Sequence, residues 1–231
     1  MIKPGEVISY LDMCTEEGAN LQRGMNFHFH ARVSVILMSL RRGAPYSDRV
    51  EDDGKVLIYE GHDAPQTKEG PNPKTIDQPM KYPGGGFTEN GKFFSAASDY
   101  KMSMRAPELV RVYEKIHAGI WVYNGVFKLV DAWQEVINNR KLFKFRLELA
   151  DSDDASERKT LPEIDYRRII PTLVKLEVWR RDKGRCVKCG STISLHFDHI
   201  IPYSKGGSSL VAENVQLLCA RHNLEKSDNL E

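Results

Sequence analysis

The chain has 231 residues, 41% of them apolar and 28% charged, which is room for two small domains and a composition able to bury a core in each. Its longest apolar runs, such as Val33–Met38, are strand-sized and far below the roughly 18 residues of a membrane-spanning helix, so that class is excluded. The net charge of +1 announces no polyanionic partner, but its distribution is uneven. Eleven basic residues face seven acidic ones from Arg167 onward, and two face six between Asp151 and Tyr166. A mildly basic tail behind an acidic spacer is compatible with nucleic acid without establishing it.

The opening Met1-Ile2-Lys3-Pro4-Gly5-Glu6 carries no apolar h-region, so the protein is expected to be intracellular, in the cytoplasm, with no membrane partner. Cys14 stands apart from the other cysteines and reads as a small buried or partly buried thiol. Residues Phe27–Leu40, rich in Val, Ile, Phe and Leu, predict one or two strands, with His28 and His30 on the surface. A turn-rich stretch leads to a further strand over Lys55–Tyr59. Residues 61–91, mostly Pro, Gly, Asn, Asp, Lys and Thr, predict a long loop, and such loops in compact domains are usually functional or mobile. Its Lys68, Lys74 and Lys81 suit phosphates. A short helix is expected over Gly91–Ser98 and strands over Glu108–Lys115, Gly119–Leu129 and Phe143–Leu149, with Trp121 and Trp133 in the core. Several short strands with turns between them favour a barrel or sandwich.

The tail opens with a helix for which Thr172 is the expected N-cap, Leu173, Leu176 and Trp179 the apolar face, and Gly184 the stop. Strands over Ser194–Ile200 and Val215–Leu218 flank a polar loop, and a helix starts at Ala220. Cys186-x-x-Cys189 and Cys219-x-x-His222 are two pairs whose spacing lets all four side chains converge on one ion. A soft, closed Cys3His set suits structural Zn2+. Between the pairs stands Asp198-His199, whose neighbours on a strand point to opposite faces; Asp198 suits a divalent ion while His199 reaches a water.

Cys186-x-x-Cys189, Asp198-His199-Ile200-Ile201-Pro202, Gly206-Gly207, Asn214, Leu218-Cys219-x-x-His222-Asn223 and Lys226 together resemble the HNH endonucleases of the ββα-metal fold. The resemblance covers Arg167 to the end of the chain. It implies His199 as general base, Asn214 as the brace of the loop and the base, and Asp198 and Asn223 as ligands of a catalytic Mg2+ or Mn2+. It also implies 5′-phosphate and 3′-hydroxyl ends. The second pair ends in His222 where the family often has Cys, which leaves an exchange of roles between His222 and Asn223 open. Lys205, Arg221 and Lys226 are candidate phosphate contacts.

Three passages of the front half resemble a second family: Pro45–Gly61, Thr88–Ala97 and Trp121–Trp133. Together they look like an SRA (YDG) domain, a PUA-like barrel that reads modified cytosine by flipping it out of duplex DNA. A flipped base needs aromatic faces and hydrogen bonds to its Watson–Crick edge. On this resemblance the aromatic pair falls on Tyr46 and Tyr59 and the edge-reading carboxylate on Asp48, with Arg49 as the alternative occupant of that position. The signature tripeptide is Tyr123-Asn124-Gly125, with Asn in place of the usual Asp.

The expected fold class is therefore α+β. Residues 1–150 form a PUA/SRA-like β-barrel with flanking helices, 151–166 an acidic linker, and 167–231 a ββα-metal HNH domain with a zinc knuckle. The expected function is cleavage of double-stranded DNA containing 5-methylcytosine or 5-hydroxymethylcytosine, by a homodimer or by successive nicks. Two alternatives stay open: an HNH nickase indifferent to modification, and a non-catalytic reader of modified DNA whose tail zinc merely stabilises. An RNA-directed PUA-like module is a weaker third, since such barrels host many functions.

Overall fold

The computed structural model describes residues 2–29, 33–150, 169–202 and 205–228; the acidic linker expected over 151–166 lies outside them, as does His30. In chain order the front half contains β1 (Val7–Ser9), α1 (Tyr10–Glu16), β2 (Met25–Phe29), β3 (Val33–Met38), β4 (Arg49–Glu51), β5 (Val56–Glu60), α2 (Glu89–Lys101), β6 (Glu108–His117), β7 (Ile120–Ile137) and β8 (Arg140–Leu149). The tail contains α3 (Thr172–Arg181), β9 (Leu195–His199), β10 (Val215–Cys219) and α4 (Ala220–Asp228). The class is α+β, as expected. Among the described residues no helix is long and apolar enough to cross a membrane.

Alternating apolar residues assemble the front strands into one eight-stranded sheet, ordered β2-β3-β6-β7-β8-β5-β4, with β1 joined to β7. β3 and β6 are parallel, and the chain passes through β4, β5 and α2 between them. α2 is longer than the sequence suggests because Thr88 caps it, its Oγ1 accepting from Gly91 N at 3.2 Å. Phe93, Ala96 and Ala97 of α2 bury against Ile36, Leu57, Val110, Phe127, Phe143 and Phe145. A second cluster packs Met13 of α1 and Leu21 on Tyr113, Trp121 and Tyr123; Cys14 is half-buried beside it.

β7 carries a bulge at the signature tripeptide. Val112 pairs with Gly125 and Tyr113 with Tyr123, so Asn124 is the extra residue, and Gly125 takes a φ of +104°. A bulge re-aims the side chain it displaces. Here the Asn124 amide donates to Glu114 Oε2 at 3.1 Å and its oxygen accepts from Lys175 Nζ at 2.7 Å.

The connection over residues 61–88 contains one 3-10 turn, Pro73–Thr75, and is anchored at its base. Gln78 is buried, donating to Gly61 O at 2.5 Å and accepting from Phe143 N at 2.8 Å, while Arg140 pairs with Asp63.

In the tail, β9 and β10 form an antiparallel hairpin with His199 opposite Val215 and Asp198 opposite Gln216, and α4 packs on it. Two expectations for α3 fail. Pro171 is its N-cap, and Thr172 is the first helical residue, its hydroxyl donating to Glu114. Leu173 is 78% exposed, whereas Val174, Lys175 and Val178 are buried. The cause is the docking of α3 on the front sheet: Val174 and Val178 share one apolar cluster with Ile116 and Val122 of the sheet and Leu195, Phe197 and Leu217 of the hairpin.

Candidate functional site

The Cys186-to-Cys189 turn is closed by Gly190, at φ +75°, whose N–H donates to Cys186 O at 2.8 Å. α4 begins directly after Cys219 and brings His222 round to the same point. The ligand atoms of Cys186, Cys189, Cys219 and His222 all lie within 4.8 Å of one another. Cys186 Sγ and Cys219 Sγ are 3.3 and 3.4 Å from His222 Nδ1, and Cys189 Sγ is 3.8 Å from Cys219 Sγ. A tetrahedral ion with Zn–S of about 2.3 Å and Zn–N of about 2.0 Å requires S···S and S···N separations near 3.8 and 3.5 Å. The four side chains therefore fit zinc, and His222, by its Nδ1, faces the sulfurs. Burial opposes ionisation of Cys186, but N–H groups of Cys219, Cys189 and Lys188 and the His222 ring outweigh it and bring the thiol down to about 6.

The hairpin carries the second set of residues. His199 Nε2 lies 2.8 Å from Ser209 Oγ. Asp198 Oδ2 accepts from Lys226 Nζ at 2.6 Å and from Gln216 Nε2 at 3.3 Å, and the Lys226 ammonium also donates to His199 O. Lys226 is thus turned inward onto the hairpin rather than outward as a phosphate contact. Asn214, at the end of the 3-10 turn Ala212–Asn214, is buried and stitches the intervening loop. Its Oδ1 accepts from Ile201 N at 2.8 Å, and its Nδ2 donates to Ile201 O at 2.9 Å and Ser208 O at 3.0 Å. A Cβ on Gly207 would overlap Ile201 O, so glycine is required where the loop crosses its own backbone. Asn223 is buried on α4, which packs on β9. Lys205 is exposed, and Arg221 reaches back to His222 Nε2 at 3.2 Å. Carboxylate and carboxamide oxygens suit a hard cation, and the Lys226 ammonium on Asp198 shows that this carboxylate already attracts a positive charge. An imidazole held by a hydroxyl, as His199 is by Ser209, can accept a proton from water.

Tyr46, Asp48 and Tyr59 lie close together near β5. Asp48 accepts from Glu60 N at 3.0 Å and Ser39 N at 3.4 Å. Burial pushes its carboxyl up to about 7, against the pull of those N–H groups; the Glu60 charge adds to the rise and Lys144 opposes it. Arg49 is exposed and paired with Glu51 at 2.7 Å, so Asp48 is the inward member of the two. Tyr59 is fully buried in the main core, its hydroxyl 3.0 Å from His62 Nε2. His62, not singled out in the sequence, is the hub of this cluster. Its ring stacks on Tyr46, with centroids 5.2 Å apart and planes 15° off parallel, and Lys74 Nζ lies 4.3 Å from the Tyr46 centroid. Burial lowers the His62 pKa to about 4. Its only sequence signal is its place just after β5, in Glu60-Gly61-His62-Asp63.

Residues 186–229 match the family model described as HNH endonuclease, a span that covers the cysteine cluster, β9, β10 and α4. No curated protein matches the chain. Among solved structures the chain is similar to the SUVH5 SRA domain in complex with fully methylated CG DNA, with 22% identity, a TM-score of 0.45, and coverage of 70% of this chain and 94% of that one. It is also similar to SUVH5 SRA bound to fully hydroxymethylated CG DNA, at 21% identity and a TM-score of 0.43, covering 67% and 89%. A third similar structure is Arabidopsis thaliana SUVH6 in complex with SAM, at 20% identity and a TM-score of 0.43, covering 75% of this chain and 28% of that one.

Proposed function

We propose that the chain is an endonuclease that cleaves double-stranded DNA containing 5-methylcytosine or 5-hydroxymethylcytosine. The observation that carries the nuclease half is the coincidence of the HNH match with a hairpin and helix bearing Asp198, His199 and Asn223 beside a Cys3His cluster. His199 takes a proton from water as the oxygen attacks phosphorus. The bond to the 3′ oxygen breaks, and that oxygen is protonated by solvent, leaving 5′-phosphate and 3′-hydroxyl ends. Asn214 braces the loop that follows His199 and carries its partner Ser209. A hard divalent cation, Mg2+ or Mn2+, held by the oxygens of Asp198 and Asn223, would supply relief of negative charge on the phosphate and the departing oxygen. Structural zinc on Cys186, Cys189, Cys219 and His222 would pin α4 to the hairpin.

The reader half is supported by the convergence of Tyr46, Asp48 and Tyr59 with His62. Flipping a base costs a few kcal/mol, which stacking on Tyr46 and edge contacts must offset. Burial, which pushes the carboxyl up to about 7, favours its neutral form. The neutral form offers a donor for cytosine N3 and an acceptor for its N4 amino group at once. The non-catalytic reading draws on one observation, the Lys226 ammonium that neutralises Asp198.

The deciding experiment is digestion, with Mg2+ or Mn2+, of matched duplexes bearing cytosine, 5-methylcytosine or 5-hydroxymethylcytosine. Selective cutting of a modified duplex is expected. Equal cutting of all three would leave a modification-indifferent nuclease, and binding without cutting would leave a reader.

A further inference from the structure

Among the described residues three sets of contacts fix the tail on the front sheet. The first is a main-chain strap. Gly5 N donates to Tyr123 O at 2.8 Å and Tyr123 N to Glu6 O at 3.0 Å, continuing into the β1 pairing with β7. On the opposite edge the same strap accepts Phe197 N on Gly5 O at 3.0 Å and bridges Glu6 to His196. The second is the shared apolar cluster of Ile116, Val122, Val174, Val178 and Phe197. The third is a buried polar knot in which Lys175 Nζ donates to Glu114 Oε2 at 2.6 Å and to Asn124 Oδ1 at 2.7 Å, with the Lys175 and Glu114 side chains 2% and 0% exposed. Such a pair tolerates no separation, because each half alone would be an unpaired buried charge.

Both ends of the 151–168 segment are also held at one place. Leu149 N donates to Lys55 O at 2.8 Å and Ile169 N to Gly54 O at 3.2 Å, and a Cβ on Gly54 would clash with Ile169. Leu149 and Ile169 thus lie beside the same turn, so the spacing of the two halves is set there without the residues between them.

We propose that the strap and the Glu114–Asn124–Lys175 knot hold the His199 centre at a fixed distance from the Tyr46–Asp48–His62 cluster, so that the scissile bond lies at a set offset from the recognised base. This rests on the functional reading above. It makes Lys175 and Glu114 positioning residues for site selection, although neither touches DNA.

The test maps cut positions at nucleotide resolution on a duplex with one modified cytosine. It uses the full chain, the full chain with ten Gly/Ser residues inserted between Arg158 and Lys159, and Lys175→Met. Ten such residues add about 17 Å of reach, equivalent to about five base pairs. The insertion is expected to leave the cut within one nucleotide of the parent position, and Lys175→Met to spread cuts over several nucleotides. A shift or spread on insertion alone overturns the proposal. A calorimetric scan without DNA separates the two levels. One unfolding transition is expected for the parent and two for Lys175→Met; two transitions in the parent would refute rigid docking. A single transition together with equal cutting of modified and unmodified DNA would leave the docking intact and remove only the functional reading.

Discussion

Lys226 and Asp198 form a half-buried ion pair, Nζ to Oδ2 at 2.6 Å, on the carboxylate that the HNH resemblance assigns to a divalent ion. The ammonium and the ion compete for one oxygen. Lys226→Met is therefore expected to lower the Mg2+ or Mn2+ concentration for half-maximal cleavage about five-fold, the equivalent of ~1 kcal/mol. Cleavage measured across a metal titration checks this; an unchanged or raised midpoint would show that the ammonium yields its place without cost.

On the proposed function, substitution of His199 or of its partner Ser209 is expected to separate catalysis from binding. Loss of a general base typically removes 10²- to 10⁴-fold in rate, so His199→Ala should abolish detectable cutting at roughly that scale. Affinity for modified duplex, measured by fluorescence anisotropy, should stay within about two-fold. Ser209→Ala removes only the 2.8 Å orienting contact and should cost about ten-fold or less. Full activity in His199→Ala would take the imidazole out of the reaction.

Zinc content follows from the sulfur geometry. Elemental analysis of purified protein should give one zinc per chain, lost in Cys219→Ser. Because Cys186 and Cys219 belong to the same apolar cluster as Val122 of the front sheet, stripping the ion with a chelator should lower the melting temperature of the whole protein. A variant that keeps both its zinc and its melting point would contradict a structural role.

Acid stability turns on His62. Its unfolded form takes a proton near pH 6.5, whereas the buried ring resists until about 4, with Asp63 opposing that fall and Arg23 and Lys74 reinforcing it. At this site the unfolded chain thus binds more protons between those values, and the His62 contribution to stability declines as pH drops through that window. Asp48 acts oppositely: its raised pKa contributes stability at low pH that is lost as pH rises through about 7. At pH 5 the His62 contribution is on the order of 2 kcal/mol against folding. His62→Asn should raise the stability at pH 5 relative to that at pH 7.5 by about that amount in urea titrations. An unaltered pH slope would mean the ring is hydrated in solution.

The tail was largely legible because its chemistry is local. Cys186 to Cys189, Asp198-His199 and Asn214 are set by short spacings on a hairpin and two turns, and the structure gathers the four sulfur and imidazole ligands as those spacings predict. Long-range polar contacts were not legible. Apolar periodicity selected Leu173, which faces solvent, and passed over Thr172 and Lys175, which dock α3 through Glu114. Asn124 was visible as a departure from a signature, yet its direction depends on a bulge that only the β6–β7 register reveals. His62 gains meaning only when Tyr46 and Tyr59 close around it. β1, three residues long, is too short to stand out as a pattern.

The pairing of Gly5 with Phe197 joins positions about 190 residues apart. In a nascent chain Gly5 and Glu6 would wait for Phe197 before the second edge of their strap is satisfied. Contacts of such wide sequence separation form late, because loop-closure entropy must be met before they reward it. A nascent chain halted at residue 150 would hold a complete β8 but no partner for that edge.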